Sequence, residues 1–230
     1  MTVLKTLIRK KKKKSLDKIY QLVYFVSKVK GFEMGKAEET KSHIIEQAAP
    51  IFNMYGYKGT TMSQLTEAIN MTKGAIYGNF KDKDELAIAA FDYNFAEISE
   101  KIRNVVLSKE NACEKLIAFA NFYIDEFAVI SSKGGCPILN AAIDSDNVHP
   151  PLKERVAQAI KDWTNDVSRI VYSGIKRKQI NKNAKPEQFA SVFVSLIEGG
   201  IMLSKVTGNT IHLSRNIDHI IYLVNTELRL

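Results

Sequence analysis

The chain has 230 residues, 45% of them hydrophobic and 25% charged, enough to bury a sizeable core and ordinary for a soluble globular protein. Its formal net charge of +8 is misleading as a sign of nucleic-acid binding: residues 1–33 hold ten of the 33 basic residues and only two of the 25 acidic ones, leaving 23 of each for the rest. Bulk charge therefore says nothing about the partners of the body, and two cysteines are too few for a disulfide framework, so a reducing cytoplasm is expected.

Residues 1–33 open with the lysine run Lys10–Lys14 and continue into an aromatic and aliphatic stretch, IYQLVYFVSKV, that falls well short of the roughly 20 residues a membrane span needs. A DNA-grasping basic arm and an interfacial membrane helix are two readings of this leader. The third is an upstream extension, with translation starting at Met34. We read it so, leave it out of the fold, and expect no membrane partner.

From Thr40 the pattern is helical. Ile44, Ile45, Ala48, Ile51, Phe52 and Tyr55 recur at steps of three and four, and Gly56 stands where a helix end favours glycine. Thr61, with Gln64 three residues on, predicts a capping box opening a second helix with Met62, Leu65 and Ile69 inward. Asn70 suits a tight turn, and Thr72 is placed to cap a third helix running through Phe80. Asp82 caps a fourth, from Lys83 to about Leu107, whose first-turn Lys83 and Asp84 read as solvated charges. Further amphipathic helices are expected near 111–130, 137–145, 150–178, 186–206 and 213–228, with Pro137, Pro151 and Pro186 near three of the starts. No strand alternation and no internal repeat is evident. The prediction is an all-α chain of about nine helices: a three-helix unit over 34–86, then a larger helical domain over 87–230.

A short helix, a tight turn and a second short helix behind a longer first one make a helix-turn-helix. The segment Thr40–Leu86 carries F-x-x-x-G at 52–56, G-T/T-x-x-x-L at 59–65 and K-G-x-I-Y-x-x-F-x-x-K-x-E-L at 73–86. This ordered set, over about 47 residues, resembles the DNA-binding domain of the TetR family of transcriptional regulators. The resemblance implies an Ω-shaped homodimer that presents two recognition helices to a palindromic operator in double-stranded DNA and is released by a small-molecule effector. Position by position, it implies that Thr61 holds a phosphate. Thr72, Lys73 and Gly74 would open the recognition helix toward the backbone, Tyr77 would reach the backbone or a thymine methyl, and Lys81 would bind phosphate. Gly78 and Asn79 depart from the bulky His or Tyr usual in the family, which shifts base reading toward Ala75, Tyr77 and Asn79, the last suited to adenine. Ile76 and Phe80 are assigned to the core.

In the second half, helices 186–206 and 213–228 carry apolar stripes (Phe189, Phe193, Leu196, Ile197, Leu203; Ile217, Ile220, Ile221, Val224) that would build a four-helix dimer bundle, core packing within one subunit being the competing reading. Phe91, Phe95, Tyr123, Phe127, Trp163 and Met202 are candidates to line an effector pocket, or plain core. Cys136, ahead of Pro137, reads either as a small buried thiol or as an electrophile sensor activated by a helix N-terminus. The four histidines lack zinc-pair spacing, and neither a Ser–His–Asp signature nor a Walker loop is present, so no metal, cofactor or catalysis is expected. The alternative to a regulator is a helical ligand-binding or membrane-surface protein with a vestigial helix-turn-helix.

Overall fold

The computed structural model describes residues 35–146 and 148–230, so the expectations for residues 1–33 fall outside the described residues. The chain divides into two compact units, Met1–Ile44 and Ile45–Leu230. The described part of the first is the opening of α1; the second holds every other element.

Helix α1, Lys36–Gly59, begins earlier than the apolar periodicity suggests, and Glu38 and Glu39 in its first turn complement the helix dipole. It is broken at Gly56, whose φ of 72° and ψ of 175° are not helical. There a Cβ would lie 3.0–3.1 Å from the Asp144 carboxylate, so both conformation and space require glycine. Helix α2, Met62–Ile69, has the expected capping box: Thr61 Oγ1 accepts from Gln64 N, and Gln64 Oε1 accepts from Thr61 N at 2.7 Å. Asn70 then turns left-handed at φ 56°, and α3 follows over Lys73–Tyr77, three residues shorter than anticipated.

Helix α4, Lys83–Leu107, is capped by Asp82, which accepts from Glu85 N at 2.8 Å. The single helix expected at 111–130 is two, α5 (Ala112–Asp125) and α6 (Phe127–Ser132), with the break at Glu126. Helices α7 (Pro137–Ser145), α8 (Pro150–Lys176) and α9 (Pro186–Thr207) each have proline in the first turn. Helix α10, Ile211–Leu223, runs into a π-helical turn at Val224–Leu228. Among the described residues there is no strand, only an isolated bridge between Ile180 and Arg229.

The principal core joins α5, α8, α9 and α10 around aromatic side chains: the ring of Phe119 lies 5.2 Å from Phe193 and 6.2 Å from Trp163, which in turn is 5.7 Å from Tyr123. This packing reassigns the stripes expected at a dimer bundle. Phe189, Phe193, Ile197, Ile217, Ile220 and Val224 are buried within the subunit, Leu196 and Ile221 pack partly against the same core, and of the named residues only Leu203 is well exposed. By length and composition α9 could cross a membrane, yet Phe189, Phe193, Ile197 and Ile201 anchor it in this core.

Gly174 marks the tightest crossing: a Cβ there would meet Ile180 Cδ1 at 2.6 Å and Ala112 Cβ at 2.7 Å. Gly174→Ala should lower stability by about 1–3 kcal/mol, whereas Gly199→Ala, which meets nothing within 4 Å, should not lower it. Urea unfolding of the two variants checks the pair; equal midpoints would mean that Ile180 and Ala112 can retreat.

Candidate nucleic-acid interface and regulatory core

The two short helices are held by apolar side chains on one side and leave their polar ones outside. Leu65 and Ile69 on α2, Ile76 on α3 and Phe80 just after it are buried, while Thr61, Thr72, Lys73, Gly74, Tyr77 and Lys81 are exposed and Ala75 and Asn79 half-buried. Most of the expected contact set thus shares one outer surface, with Tyr77 38% exposed. Thr61 and Thr72 are engaged in capping: Thr72 Oγ1 accepts from Ala75 N at 3.2 Å. Lys73 Nζ lies 5.8 Å from the Tyr77 ring centre, so the cation and the ring are presented side by side. Lys81 Nζ is 3.8 Å from Asp82 Oδ2 but almost fully solvated. Asn79 is the exception, because its Nδ2 donates to the Ala75 carbonyl at 2.9 Å and so satisfies the end of α3.

Neither glycine of this helix is required by the protein itself. Gly78 has ordinary helical angles (φ −71°, ψ −20°), and Gly74 sits inside the helix with no positive φ. A Cβ on Gly74 would meet only Thr72 Oγ1, at 4.0 Å, and one on Gly78 would make ordinary contacts at 3.5 Å.

In the second half, Tyr123 and Trp163 of the expected pocket residues are brought together in the core. Phe91 and Phe95 stack on each other at 6.1 Å, one turn apart on α4, and Phe127 packs half-buried against the core. Met202 does not join them: it is 42% exposed on the outer face of α9. Cys136 caps α7 as expected, but it is 2% exposed, and burial together with the neighbouring Glu198 carboxylate pushes its thiol well above the ordinary range. That is the opposite of the activation a helix N-terminus would give. Glu198 itself, which is not among the expected site residues, accepts from Cys136 Sγ at 2.9 Å.

Residues 44–90 match the model of bacterial regulatory proteins of the tetR family, and residues 112–220 that of the tetracyclin repressor-like C-terminal domain. A TetR-family transcriptional regulator from Cytophaga hutchinsonii has a solved structure that superposes with a TM-score of 0.81 at 34% identity, covering 84% of this chain and 97% of that one. The chain belongs to the TetR family. It is accordingly a DNA-binding transcriptional regulator. It is also similar to the HTH-type transcriptional regulator LmrA of Bacillus subtilis, 26% identical over 173 residues, which is 75% of this chain and 89% of LmrA. The fold is shared too with a cysteine mutant of the TetR-family regulator CifR, solved with 26-base-pair operator DNA (TM-score 0.70, 16% identity, 79% of this chain and 94% of that one).

In this TetR-family chain the helix-turn-helix is tied to the regulatory helices through Tyr57. Its backbone N–H donates to Asp144 on α7 and its hydroxyl to Asp84 on α4, while Lys83 Nζ donates to its carbonyl at 2.6 Å and lies 4.5 Å from its ring centre. The Asp84 hydrogen bond, then burial, then the charges of Asp84, Asp82 and Asp144 push the Tyr57 phenol up to about 12, so it keeps its proton as a donor. His149, 2% exposed, packs edge-on against Tyr57 at 4.5 Å. Its Nδ1 accepts from Leu152 N at 3.1 Å to cap α8, and its Nε2 faces Asp84 Oδ2 at 3.7 Å. Lys83 and Asp84 are therefore structural partners rather than solvated first-turn charges. Burial lowers the Lys83 ammonium, with Asp144 and Asp84 pulling it back up. Asp84→Ala would remove the acceptor of the Tyr57 hydroxyl at a half-exposed position and should lower stability by about 0.5–1.5 kcal/mol; an unchanged urea midpoint would show that the joint does not lean on this carboxylate.

Proposed function

We propose that the chain acts as a homodimeric repressor in the cytoplasm, holding a palindromic operator with one recognition helix per subunit and releasing it when a small molecule binds the regulatory half. Thr61, Lys73 and Lys81 meet phosphates, since phosphates need donors and positive charge. Tyr77 reaches the backbone or a thymine methyl, and Ala75, short and on the same helix, approaches base edges. Asn79 is given a lesser part in base reading than its chemistry alone suggests, because its amide already closes the helix.

The observation that carries this reading is the pair of glycines that the subunit does not itself require. A side chain at Gly74 would meet nothing in the protein at close range, so an outside surface that must come near the backbone accounts for its lack. Gly74→Ala and Tyr77→Ala should leave stability equal or better, in the first case by up to about 1 kcal/mol. Both should weaken binding to a palindrome selected from random DNA by about tenfold or more, read by mobility shift. If no palindrome is enriched, or both variants bind it like the parent, the interface lies elsewhere and the vestigial reading gains.

The dimer reading rests on what α9 leaves uncovered. Val192, Ser195, Met202 and Val206 are exposed at steps of three and four, with Gly199 half-buried between them and open at its Cβ position. Val206 is 82% exposed, and Tyr222 on α10 is also exposed. An apolar stripe on a helix otherwise fixed in a core is the kind of surface a second copy covers. Two copies would set the recognition helices about one DNA turn apart, roughly 34–36 Å. Met202→Glu should convert dimer to monomer in sedimentation velocity without lowering helix content; an unaltered dimer would place the interface on another face. An effector can weaken operator binding only by its differential affinity for the two dimer conformations.

A further inference from the structure

Two adjoining cavities lie beside α1, α4 and α7, and Asn53, Asn94 and Pro137 line both. The inner one encloses about 360 Å³ of space free of atoms and is walled by Phe52, Phe91 and Leu152 and by Gly56, Tyr57 and Asp144 of the joint. Phe91 is thus one expected pocket residue that does line a cavity. The outer one, about 430 Å³, has Ile98, Phe122 and Ile130 as its apolar lining. Its charged residues are paired with each other: Lys133 Nζ lies 2.8 Å from Glu97 Oε1, and Lys101 Nζ 3.0 Å from Glu126 Oε2.

The side-chain donors along the inner wall are already engaged. Asn53 Nδ2 donates to the carbonyls of Lys133 at 2.6 Å and Gly135 at 3.0 Å, Asn94 Nδ2 to that of Ala49 at 2.8 Å, and Asn140 Nδ2 to those of Gly134 and Asn53. The Tyr57 hydroxyl donates to Asp84. What stays open are acceptors. Among the described residues nothing donates to Asn94 Oδ1 or Asn140 Oδ1, and neither oxygen is sealed inside the protein. Charge is answered as well: Asp144, the one charged side chain among the described residues lining the inner cavity, accepts from Tyr57 N and lies within electrostatic reach of Lys83. A charged ligand would therefore enter without a counter-ion and lose its hydration, and a ligand with acceptors alone would face acceptors. A neutral hydrogen-bond donor on an apolar body meets both conditions.

We propose that the inner cavity is the effector site and that it takes a neutral hydroxyl compound whose apolar body is the size of a single aromatic ring. The hydroxyl donates to Asn94 Oδ1, and the body lies against Phe52, Phe91 and Leu152. This rests on the reading of the regulatory half as an effector domain. Because Gly56, Tyr57 and Asp144 line the same cavity, the occupant lies against the joint between the helix-turn-helix and α7. It lowers operator affinity to the extent that it fits better with the Tyr57–Asp144 bond displaced.

The test titrates the full chain with 3-phenylpropanol, its methyl ether, 3-phenylpropylamine and 3-phenylpropanoate by isothermal calorimetry at about pH 7, where the amine is a cation and the acid an anion. The alcohol should bind about tenfold more tightly than the ether, which brings a similar body without a donor. Both ions should bind more weakly than the alcohol, the carboxylate worst among open acceptors. Ala141→Leu, which fills the inner cavity, should weaken the alcohol by about tenfold or more, and Asn94→Leu should erase the preference for alcohol over ether. Equal affinity for alcohol and ether, preference for either ion, binding of none of the probes, or a preference that survives in Asn94→Leu would overturn the proposal. Should a variant not fold, the ranking on the wild-type chain decides alone. No DNA enters the calorimetry, so failure of every probe on a chain that still selects a palindrome would sink the cavity and leave the repressor reading standing. Alcohol binding that leaves operator affinity unchanged in a mobility shift would refute the effector role while the ligand class of the cavity stands.

Discussion

The position of the recognition helix depends on how the chain is held at Tyr57. The kink at Gly56 interrupts the helical hydrogen bonding of α1, and the Tyr57 N–H donates to Asp144. Lys83 then reaches back 26 residues to the Tyr57 carbonyl, and Asp84 takes its hydroxyl. These bonds pin both ends of the segment that contains α2 and α3. A five-residue helix has almost no stability alone, because nucleation costs more than a single turn returns. Closing its segment between two fixed points removes much of that chain entropy before the helix forms.

Helix α7 has this joint at one end and the buried acid at the other. Its N-cap Cys136 bonds Glu198, and Asp144 near its C-terminus bonds Tyr57. Between them Asn140 Nδ2 donates to the Asn53 carbonyl at 3.0 Å and to the Gly134 carbonyl at 2.8 Å. A nine-residue helix held by polar bonds at its ends and middle moves as a piece. Helix α7 thus connects the Glu198 carboxylate, bonded at Cys136, to the backbone amide of Tyr57, bonded at Asp144. Polar bonds suit such a link because they are directional, whereas apolar packing allows a helix to slide with little loss.

What could be read in the sequence follows from how local each signal is. The Thr61–Gln64 box, the Asn70 turn and the Asp82 cap involve residues within a few positions, and each was legible. The break at Glu126 was not, since no glycine or proline marks it. On α9 the periodicity was clear but its meaning was not: the helix is apolar on two faces, and sequence alone could not say which one the subunit keeps. The roles of Lys83, Asp84 and His149 depend on residues far along the chain. For Glu198 the sequence does carry a signal, a lone acid between Leu196-Ile197 and Gly199-Gly200 in an apolar helix, where a charge is kept inside only at a cost.

The recognition helix itself shows how its composition can be set from outside. Gly74 inside the helix costs about 1 kcal/mol relative to alanine, and Gly78 at its C-cap costs less. Burying Ile76 and Phe80 contributes about 1.5–3 kcal/mol each, so the fold can carry that loss without help from the helix's own propensity. Once Ile76 and Phe80 fix its inner face, the outer positions need only satisfy whatever surface approaches them. That division fits so weak a segment among strong helices: its inner residues serve the subunit, and its outer face is left without a Cβ at Gly74 and Gly78, where the subunit has room for one.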